Sequence, residues 1–197
     1  MQSGNGNIMK LGLRQIIAVI PALFLAIVTP AQNLPKMPAD QAVTAGVLPN
    51  GLSYYIVSNT YEKGLADFAL IQKTGTLSVP DSLTVDSDAV KVARQALTSL
   101  PRLKNDSPQD FFIRHGAVPG GNGYVSVSED ATVFRFPGVR LSDHKAVLDS
   151  ALVVLLDIAD RGNFSDNPFL NKWYASADQA MVISGDVDAK ALASRLE

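Results

Sequence analysis

The sequence predicts an α+β domain in which helices cover one face of a mostly antiparallel sheet. Short segments rich in aromatic and β-branched residues, typical of strands, alternate with longer segments whose apolar residues recur every three or four positions, typical of helices. Turn sequences separate neighbouring strand segments closely enough for hairpins. A chain of 197 residues with 47% hydrophobic residues is also long enough to bury one core.

Residues 1–31 are predicted to be a secretory signal peptide. A short basic stretch precedes the uncharged apolar run at 16–28, and small residues follow it, which is the order of regions in such signals. The apolar run is interrupted by Pro21 and is shorter than the about 20 residues that a spanning helix needs. We therefore expect cleavage before Gln32, a periplasmic or extracellular protein and no stable membrane insertion afterwards; the alternative is a retained N-terminal anchor.

The folded domain is predicted to span residues 48–197. Residues 32–47 contain prolines and no clean period, so they are predicted as an extended lead-in. The turn sequence LPNG at 48–51 introduces a strand at 52–58, whose residues are aromatic, aliphatic or β-branched. A second strand at 67–76 is predicted to be its hairpin partner.

The rest of the domain alternates helices with strands. Ser107 is a good N-cap with an acidic residue three positions later, Gly116 ends that helix, and Asp188 caps the last helix. The predicted helices are 87–100, 105–115, 142–162, 168–174 and 188–197, and the predicted strands are 124–128, 131–136 and 179–184.

Composition excludes several classes of function. Lys+Arg number 17 against 19 Asp+Glu, a formal net charge of −2, whereas a nucleic-acid-binding domain shows a basic excess. The absence of cysteine excludes disulfides, thiolate zinc sites, iron–sulfur clusters and a cysteine nucleophile. The only histidines are His115 and His144, which leaves little material for a histidine-rich metal site.

Two local patterns permit either a chemical or a structural interpretation. His115, Ser128 and Asp130 are the residue types of a hydrolase triad, but they also fit a helix end and a hairpin turn. The glycine-rich loop at 120–123 could cradle an anion, yet no helix with Lys-Ser or Lys-Thr follows it. Residue types without geometry are weak evidence, so the structural interpretation is favoured in both cases.

Three segments resemble the insulinase/pitrilysin-type zinc peptidases, in particular their bacterial secreted branch. LPNGLSYYIV at 48–57 resembles the opening L-P-N-G-L-x-Y-Y-I of that family. GAVPGGNGYVSVSEDATVFRF at 116–136 and FLNKWYASADQAMVISGDVD at 169–188 resemble two later family blocks, in the same order. The resemblance implies one insulinase-type peptidase domain with a deleted segment.

The catalytic residues of that family do not occur at the matching positions. Active members carry H-x-x-E-H on the helix after the second strand, where two histidines bind zinc and the glutamate activates a water molecule. The matching positions hold Val90, Ala93 and Arg94. Valine and alanine have no metal-binding atom, and the arginine charge repels a cation. The resemblance therefore implies no zinc, no other cofactor and no catalytic residue in this chain.

Two further differences concern the third zinc ligand and the substrate. The family carries that ligand on a later helix, but here the chain passes from Gly162 to FLNKWY at 169–174 within a few residues. The segment is thus missing, through a natural deletion or an incomplete gene model. The family strand Asn-Ala-Tyr, which the resemblance implies holds the substrate backbone, is replaced by Tyr124-Val125-Ser126.

A retained scaffold without zinc residues predicts a non-catalytic binding or partner subunit in the cell envelope, with an active peptidase-family partner or a peptide ligand. The alternatives are metallopeptidase activity only in complex with an active partner, and a decayed fragment without a selected role. We also expect the former metal face to pack as core, since it is an apolar stripe. Arg94 must then reach water or an acid, because an unpaired buried charge costs several kcal/mol. The stripe consists of Ala89, Val90, Ala93, Ala96 and Leu97.

Overall fold

The structure, a computed structural model, describes residues 40, 42–78, 93–98, 106–141, 144–160 and 175–197. The chain divides into two units, Met1–Ala39 and Asp40–Glu197, and every described residue belongs to the second. The predicted signal peptide and the predicted helix 168–174 lie outside the described residues. Within those residues, no helix combines the length and the apolar character needed to cross a bilayer.

Six strands of the described chain form one sheet in the spatial order β1-β2-β6-β3-β5-β4. The pairing of β2 with β6 is parallel, and the other four pairings are antiparallel. The predicted mostly antiparallel sheet is therefore confirmed. The strands are β1 (Val43–Val47), β2 (Ser53–Ser58), β3 (Leu65–Gln72), β4 (Val125–Val127), β5 (Thr132–Arg140) and β6 (Gln179–Gly185).

The predicted hairpin between the first two strands of the domain is wrong. Both β2 and β3 exist, but β6 lies between them, so that Met181 faces Tyr54 on one side and Leu70 on the other. Strand propensity is a property of a few neighbouring residues. The strand that separates β2 from β3, in contrast, is β6, which lies more than one hundred residues further along the chain. The local pattern therefore identified the strands without their partners.

The extended segment before the LPNG turn contains a strand. Residues 43–47 pair with β2, and the Leu48 amide donates to the Leu52 carbonyl at 2.8 Å. Gly51 completes the turn at a φ of 92°, a left-handed conformation that favours glycine. The stretch predicted as a lead-in thus contributes β1, the first strand at one edge of the sheet.

Helices with capped N-termini pack against this sheet. The Ser107 hydroxyl accepts a hydrogen bond from the Asp110 amide at 3.0 Å, and Asp188 caps the last helix by accepting from two amides. Both predicted N-caps are confirmed. The helices are α1 (Pro108–Arg114), α2 (His144–Ala159) and α3 (Ala189–Leu196), and residues 93–98 are also helical.

The core lies on one face of the sheet. Side chains on this face, such as Ile56, Phe68 and Ile183, are fully buried. Phe112 of α1 stacks on Phe136 of β5 with ring centroids 3.8 Å apart. The opposite face is more open, and Tyr55 is 43% exposed there. The predicted arrangement of helices on one face is confirmed.

Candidate functional site

The positions that match the zinc motif are divided between core and surface. Ala93 has no exposed area and packs in the core together with Ala96 and Leu97. Arg94 is exposed, which confirms that its charge reaches water. Val90 lies outside the described residues. The described part of this helix therefore presents a methyl group to the core and a cation to solvent, and neither binds zinc.

His115 occupies the end of α1, where it forms the C-cap. Its ring lies 4.7 Å, centroid to centroid, from the ring of Phe111. His144 begins α2 on a different part of the chain, and its side chain lies outside the described set. In the described part of the chain, no three His, Asp or Glu side chains converge to form a metal site.

The three triad-type residues are not brought together. Ser128 donates to Asp130 Oδ1 at 2.9 Å within the turn that precedes β5. The His115 carbonyl accepts from the Arg140 amide at the other end of β5. A strand of nine residues separates the two ends by roughly 27 Å at about 3.4 Å per residue. Ser128 and Asp130 are therefore turn residues, as the structural interpretation predicts.

The glycine-rich loop is a tight turn. The Gly123 amide donates to the Gly120 carbonyl at 2.9 Å, and the two residues form an isolated bridge. Gly123 has a φ of 76°, which explains the glycine at that position. The chain then enters β4 rather than a helix, so the loop lacks the helix N-terminus that an anion cradle uses.

A surface depression of about 260 Å³ lies beside the loop from β2 to β3. Three of its polar side chains form hydrogen bonds within the fold: the Asn59 side-chain amide donates to the Ser184 hydroxyl at 2.9 Å, and the Asp67 carboxylate accepts from the Gly138 backbone amide at 2.8 Å. These contacts hold the strand ends together, and they assemble no nucleophile with a base.

A row of buried polar side chains crosses the sheet next to the β4–β5 hairpin. Gln179, Gln72 and Thr132 are paired neighbours on β6, β3 and β5, and each is at most 3% exposed. Thr132 donates to the Thr74 carbonyl at 2.8 Å, and Gln179 donates to the Ala159 carbonyl at 3.1 Å. No pattern in the sequence indicated that these three polar side chains would be buried side by side. It connects the end of α2 with the strands that support β4.

Strand β4 forms the outer edge of the sheet on the β5 side. The Arg135 amide donates to the Tyr124 carbonyl, and the Ser128 amide donates to the Ala131 carbonyl, both at 2.8 Å. Hydrogen-bonded pairs alternate along an antiparallel ladder, so Ser126 also bonds inward to β5. Val125 and Val127 then direct their amides and carbonyls outward. No described residue bonds to these outward groups.

The edge strand is held rigidly from behind. The buried Tyr124 ring stacks on Phe136 with centroids 5.4 Å apart, and its hydroxyl donates to the Ala117 carbonyl at 2.7 Å. Burial raises the pKa of Tyr124. At the other end of β4, the amides of Thr76 and Leu77 donate to the carbonyls of the β4–β5 turn at 3.0 and 2.9 Å.

Two exposed apolar side chains lie on loop segments that contact the β4–β5 hairpin or the Tyr124 side chain. Leu77, beside the β4–β5 turn, is 75% exposed, and Val118, next to the carbonyl that Tyr124 holds, is 69% exposed. Both lie between the predicted helices and strands, and neither was predicted to be a contact residue. Their only local signal is an aliphatic residue within a loop rich in glycine, proline and serine. The outward backbone groups of β4 and these exposed apolar side chains are therefore the features of the described chain that resemble a site of β-strand addition.

No protein-family model and no curated protein sequence matches the chain. Solved structures do match. A predicted insulinase family protease from Yersinia pestis has a TM-score of 0.64 at 17% identity, with 80% of this chain and 45% of that chain covered. The periplasmic protease PqqL from Escherichia coli has a TM-score of 0.65 at 16% identity, with 81% and 24% covered. A peptidase M16 inactive domain from Pseudomonas fluorescens has a TM-score of 0.53 at 12% identity, with 78% and 50% covered.

These similarities establish the fold. The chain has the insulinase-type peptidase fold that its sequence resembles, as a single domain. It spans less than half the length of the Yersinia and PqqL chains.

Proposed function

We propose that this protein is a non-catalytic member of the insulinase-type fold that acts by binding an extended peptide along β4. The observation that carries the proposal is the outward direction of the amides and carbonyls of Val125 and Val127. Such an edge binds a further strand through main-chain hydrogen bonds. The sequence resemblance supports the same strand, since it implies that the matching family segment holds substrate backbone.

The side chains at the zinc-motif positions support the non-catalytic part of the proposal. Ala93 is buried in the core and Arg94 is an exposed cation, so neither supplies a ligand or a general base. Restoring the family's glutamate at Ala93 would put a polar group into packed space. One structural neighbour is itself described as an inactive domain of an M16 peptidase, which shows that this fold also occurs without catalysis.

The affinity must come mainly from side chains. Four main-chain hydrogen bonds at about 0.5–1.5 kcal/mol each contribute roughly 2–6 kcal/mol. Ordering each peptide residue costs about 1–2 kcal/mol, which cancels most of that gain for a segment of three or four residues. The exposed Leu77 and Val118 at the two ends of β4 offer the additional apolar contacts. We therefore expect a preference for peptides with apolar residues at both ends of the bound segment.

The setting of this binding is proposed to be the cell envelope, with an active peptidase of the same fold as the protein partner. The predicted signal peptide supports export, and the neighbour PqqL is described as a periplasmic protease. The match covers less than half of the Yersinia and PqqL chains, so in those proteins the domain is joined to further chain.

A proline in the edge strand tests the binding mode. Val125→Pro removes one outward amide and no hydrogen bond within the sheet, so the fold should persist. With reduced and alkylated casein as an unfolded probe, we expect Val125→Pro to weaken binding at least tenfold in fluorescence anisotropy. Val125→Thr keeps the amide and the branched β-carbon, and it should bind like the unmodified protein. Equal binding by the proline variant would contradict the proposal.

Zinc analysis of the exported protein tests the non-catalytic part. We expect substoichiometric zinc, no cleavage of the same casein probe, and Gln32 as the first residue in N-terminal sequencing. One zinc per chain together with cleavage that a chelator abolishes would show that the protein is a peptidase.

A further inference from the structure

The opposite edge of the sheet, β1, also directs backbone groups outward. The Leu48 amide bonds to the Leu52 carbonyl, which fixes the alternation along the hairpin. Thr44 and Gly46 consequently bond inward to β2, whereas Val43, Ala45 and Val47 direct their amides and carbonyls away from the sheet. The Val43 amide is already used, because it donates to the Asp40 carbonyl at 3.0 Å. The other outward groups have no bond to any described residue.

The sequence of β1 does not protect this edge. The strand reads VTAGV and has neither a charged residue nor a proline, which are the common devices that keep edges apart. Val47 is 64% exposed, and Ala45 is exposed as well. One edge of the sheet thus ends in an uncharged strand of five residues whose outer backbone groups are free to accept another strand.

We propose that β1 pairs with β1 of a second copy of this chain, antiparallel, with Ala45 opposite Ala45 across a two-fold axis. In this register Val43 of each copy faces Val47 of the other. The Ala45 pair exchanges two hydrogen bonds, and the Val47 amide of each copy donates to the Val43 carbonyl of the other. The result is one continuous sheet through an isologous contact, in which the same surface is used twice.

The neighbouring registers are poorer. A pairing centred on Val47 puts Ala45 opposite Pro49, which has no amide to donate. A pairing centred on Val43 puts at the axis an amide that the Asp40 carbonyl already occupies. Among the registers centred on an outward-facing residue, the one centred on Ala45 forms four hydrogen bonds without relying on Pro49 or on the Val43 amide. It also places the smallest side chain of the three at the axis, where the two strands approach each other.

The side chains of β1 favour the same arrangement. Val43, Ala45 and Val47 lie on the open face of the sheet, the face that also carries Tyr55 opposite Ala45. Pairing two copies covers the exposed Val47 of each copy with the half-buried Val43 of the other, as an aliphatic cross-strand pair. A contact built from one strand of five residues stays near or below the low end of the about 1,200–2,000 Å² of stable interfaces. We therefore expect a dimer that forms with rising concentration.

A single cysteine tests both the contact and its register. The chain has no cysteine of its own, so any disulfide reports the introduced residue. Directly opposed residues of a hydrogen-bonded pair have Cα atoms about 5.5 Å apart, within the range that a disulfide spans. Ala45→Cys is expected to form a covalent dimer under mild oxidation. In the matched control Val47→Cys the two Cα atoms lie roughly 14 Å apart, so no disulfide should form.

The outcomes separate the possibilities. The experiment uses the protein expressed from the full sequence, at two concentrations tenfold apart, on non-reducing gels and in sedimentation analysis. A covalent Ala45→Cys dimer, together with a dimer of the unmodified protein that dissociates on dilution, would support the proposal. A disulfide in Val47→Cys, equal crosslinking of both variants, or a monomer at every concentration would overturn it.

A second variant guards against loss of folding. Ala45→Lys places a charge on the exposed side of the strand and leaves the inward hydrogen bonds of Thr44 and Gly46 unchanged. We expect this variant to keep the melting temperature of dilute wild-type protein and to sediment as a monomer at the high concentration. A dimer of unchanged strength would show that β1 is not the contact.

Discussion

The two edges of the sheet have equally open backbones and different surroundings. Strand β4 has three residues, ends in the acidic Glu129-Asp130 turn and is flanked by the exposed Leu77 and Val118. Strand β1 has five uncharged residues and a self-complementary pattern of free groups. A short edge with apolar contacts at its ends suits a guest peptide, whereas a longer and plain edge suits a copy of itself. The outward amides and carbonyls alone therefore do not determine which partner each edge binds.

The support behind each edge differs as well. The β4 side rests on stacked rings, with Phe112, Phe136 and Tyr124 in one layer. The β1 side rests on Tyr54, whose phenol group lies directly over Gly46 and donates to Glu197 Oε1 at 2.6 Å. We therefore expect β4 to be the more rigid edge, and three changes test that difference in order of decreasing effect.

Removing a ring should weaken the β4 side most. Phe112 is fully buried and stacks on Phe136, so Phe112→Ala is expected to lower the free energy of unfolding by about 3–5 kcal/mol. Ile113→Ala, one residue further on the same helix and 47% exposed, should cost about 0.5 kcal/mol. Urea unfolding measures both values. In Phe112→Ala, amide hydrogen exchange should accelerate in β4 and β5 before it does in β1. Uniform acceleration in all strands would contradict the proposed difference in rigidity between the two edges.

Replacing one glycine behind each edge with alanine compares how well the β4 side and the β1 side accommodate an added methyl group. A β-carbon at Gly75 would meet backbone, the Ser128 carbonyl and the carbonyl carbon of Glu129 within 2.5 Å, so Gly75→Ala should cost about 1–3 kcal/mol. At Gly46 the obstacle is the Tyr54 phenol, a side chain that can move. We expect about 1 kcal/mol for Gly46→Ala.

The control for both glycines is Gly121→Ala, since a β-carbon there would meet no described atom within 4 Å beyond its chain neighbours. Its melting temperature should stay near that of the unmodified protein. Tyr54→Phe removes the atom nearest to Gly46, and it should therefore recover part of the loss caused by Gly46→Ala. A larger loss at Gly46 than at Gly75 would reverse the assigned order of rigidity.

The smallest expected effect is a pH dependence on the β1 side. The hydrogen bond to Glu197, together with burial, raises the pKa of Tyr54 above 10.0. The folded state therefore holds the phenol proton more tightly than the unfolded chain. This contribution to stability is fully present below pH 10 and is lost as the pH rises through the folded-state pKa. Urea midpoints of the unmodified protein and Tyr54→Phe should converge above pH 10; a constant difference would contradict this.

Local signals predicted the elements well. The caps Ser107 and Asp188 fixed two helix starts, and the aromatic run at 52–58 identified β2. These signals act between residues a few positions apart, so a single sequence displays them. A single sequence does not show the order of the strands in the sheet, because the position of β6 between β2 and β3 depends on packing between distant segments. The edge status of β1 and β4 follows from that order, and it was missed for the same reason.

The candidate site was predicted only in part. The spacing of the apolar residues along the helix predicted the burial of Ala93 and the exposure of Arg94, because helix periodicity decides which side chains face the core. Leu77 and Val118 were missed because an exposed aliphatic residue in a loop has no distinctive spacing. Their relation to β4 arises from backbone contacts around the β4–β5 turn and Ala117, which exist only after the sheet has formed.

The central place of β6 sets the timing of folding. Gln179 pairs with Gln72, more than one hundred residues earlier in the chain, and β2 has no sheet partner on that side until β6 arrives. Strands β2 and β3 therefore have no common neighbour in the sheet until β6 packs between them. Contacts of such long sequence separation slow folding. A sheet whose two halves are joined by so distant a strand therefore forms after its local elements.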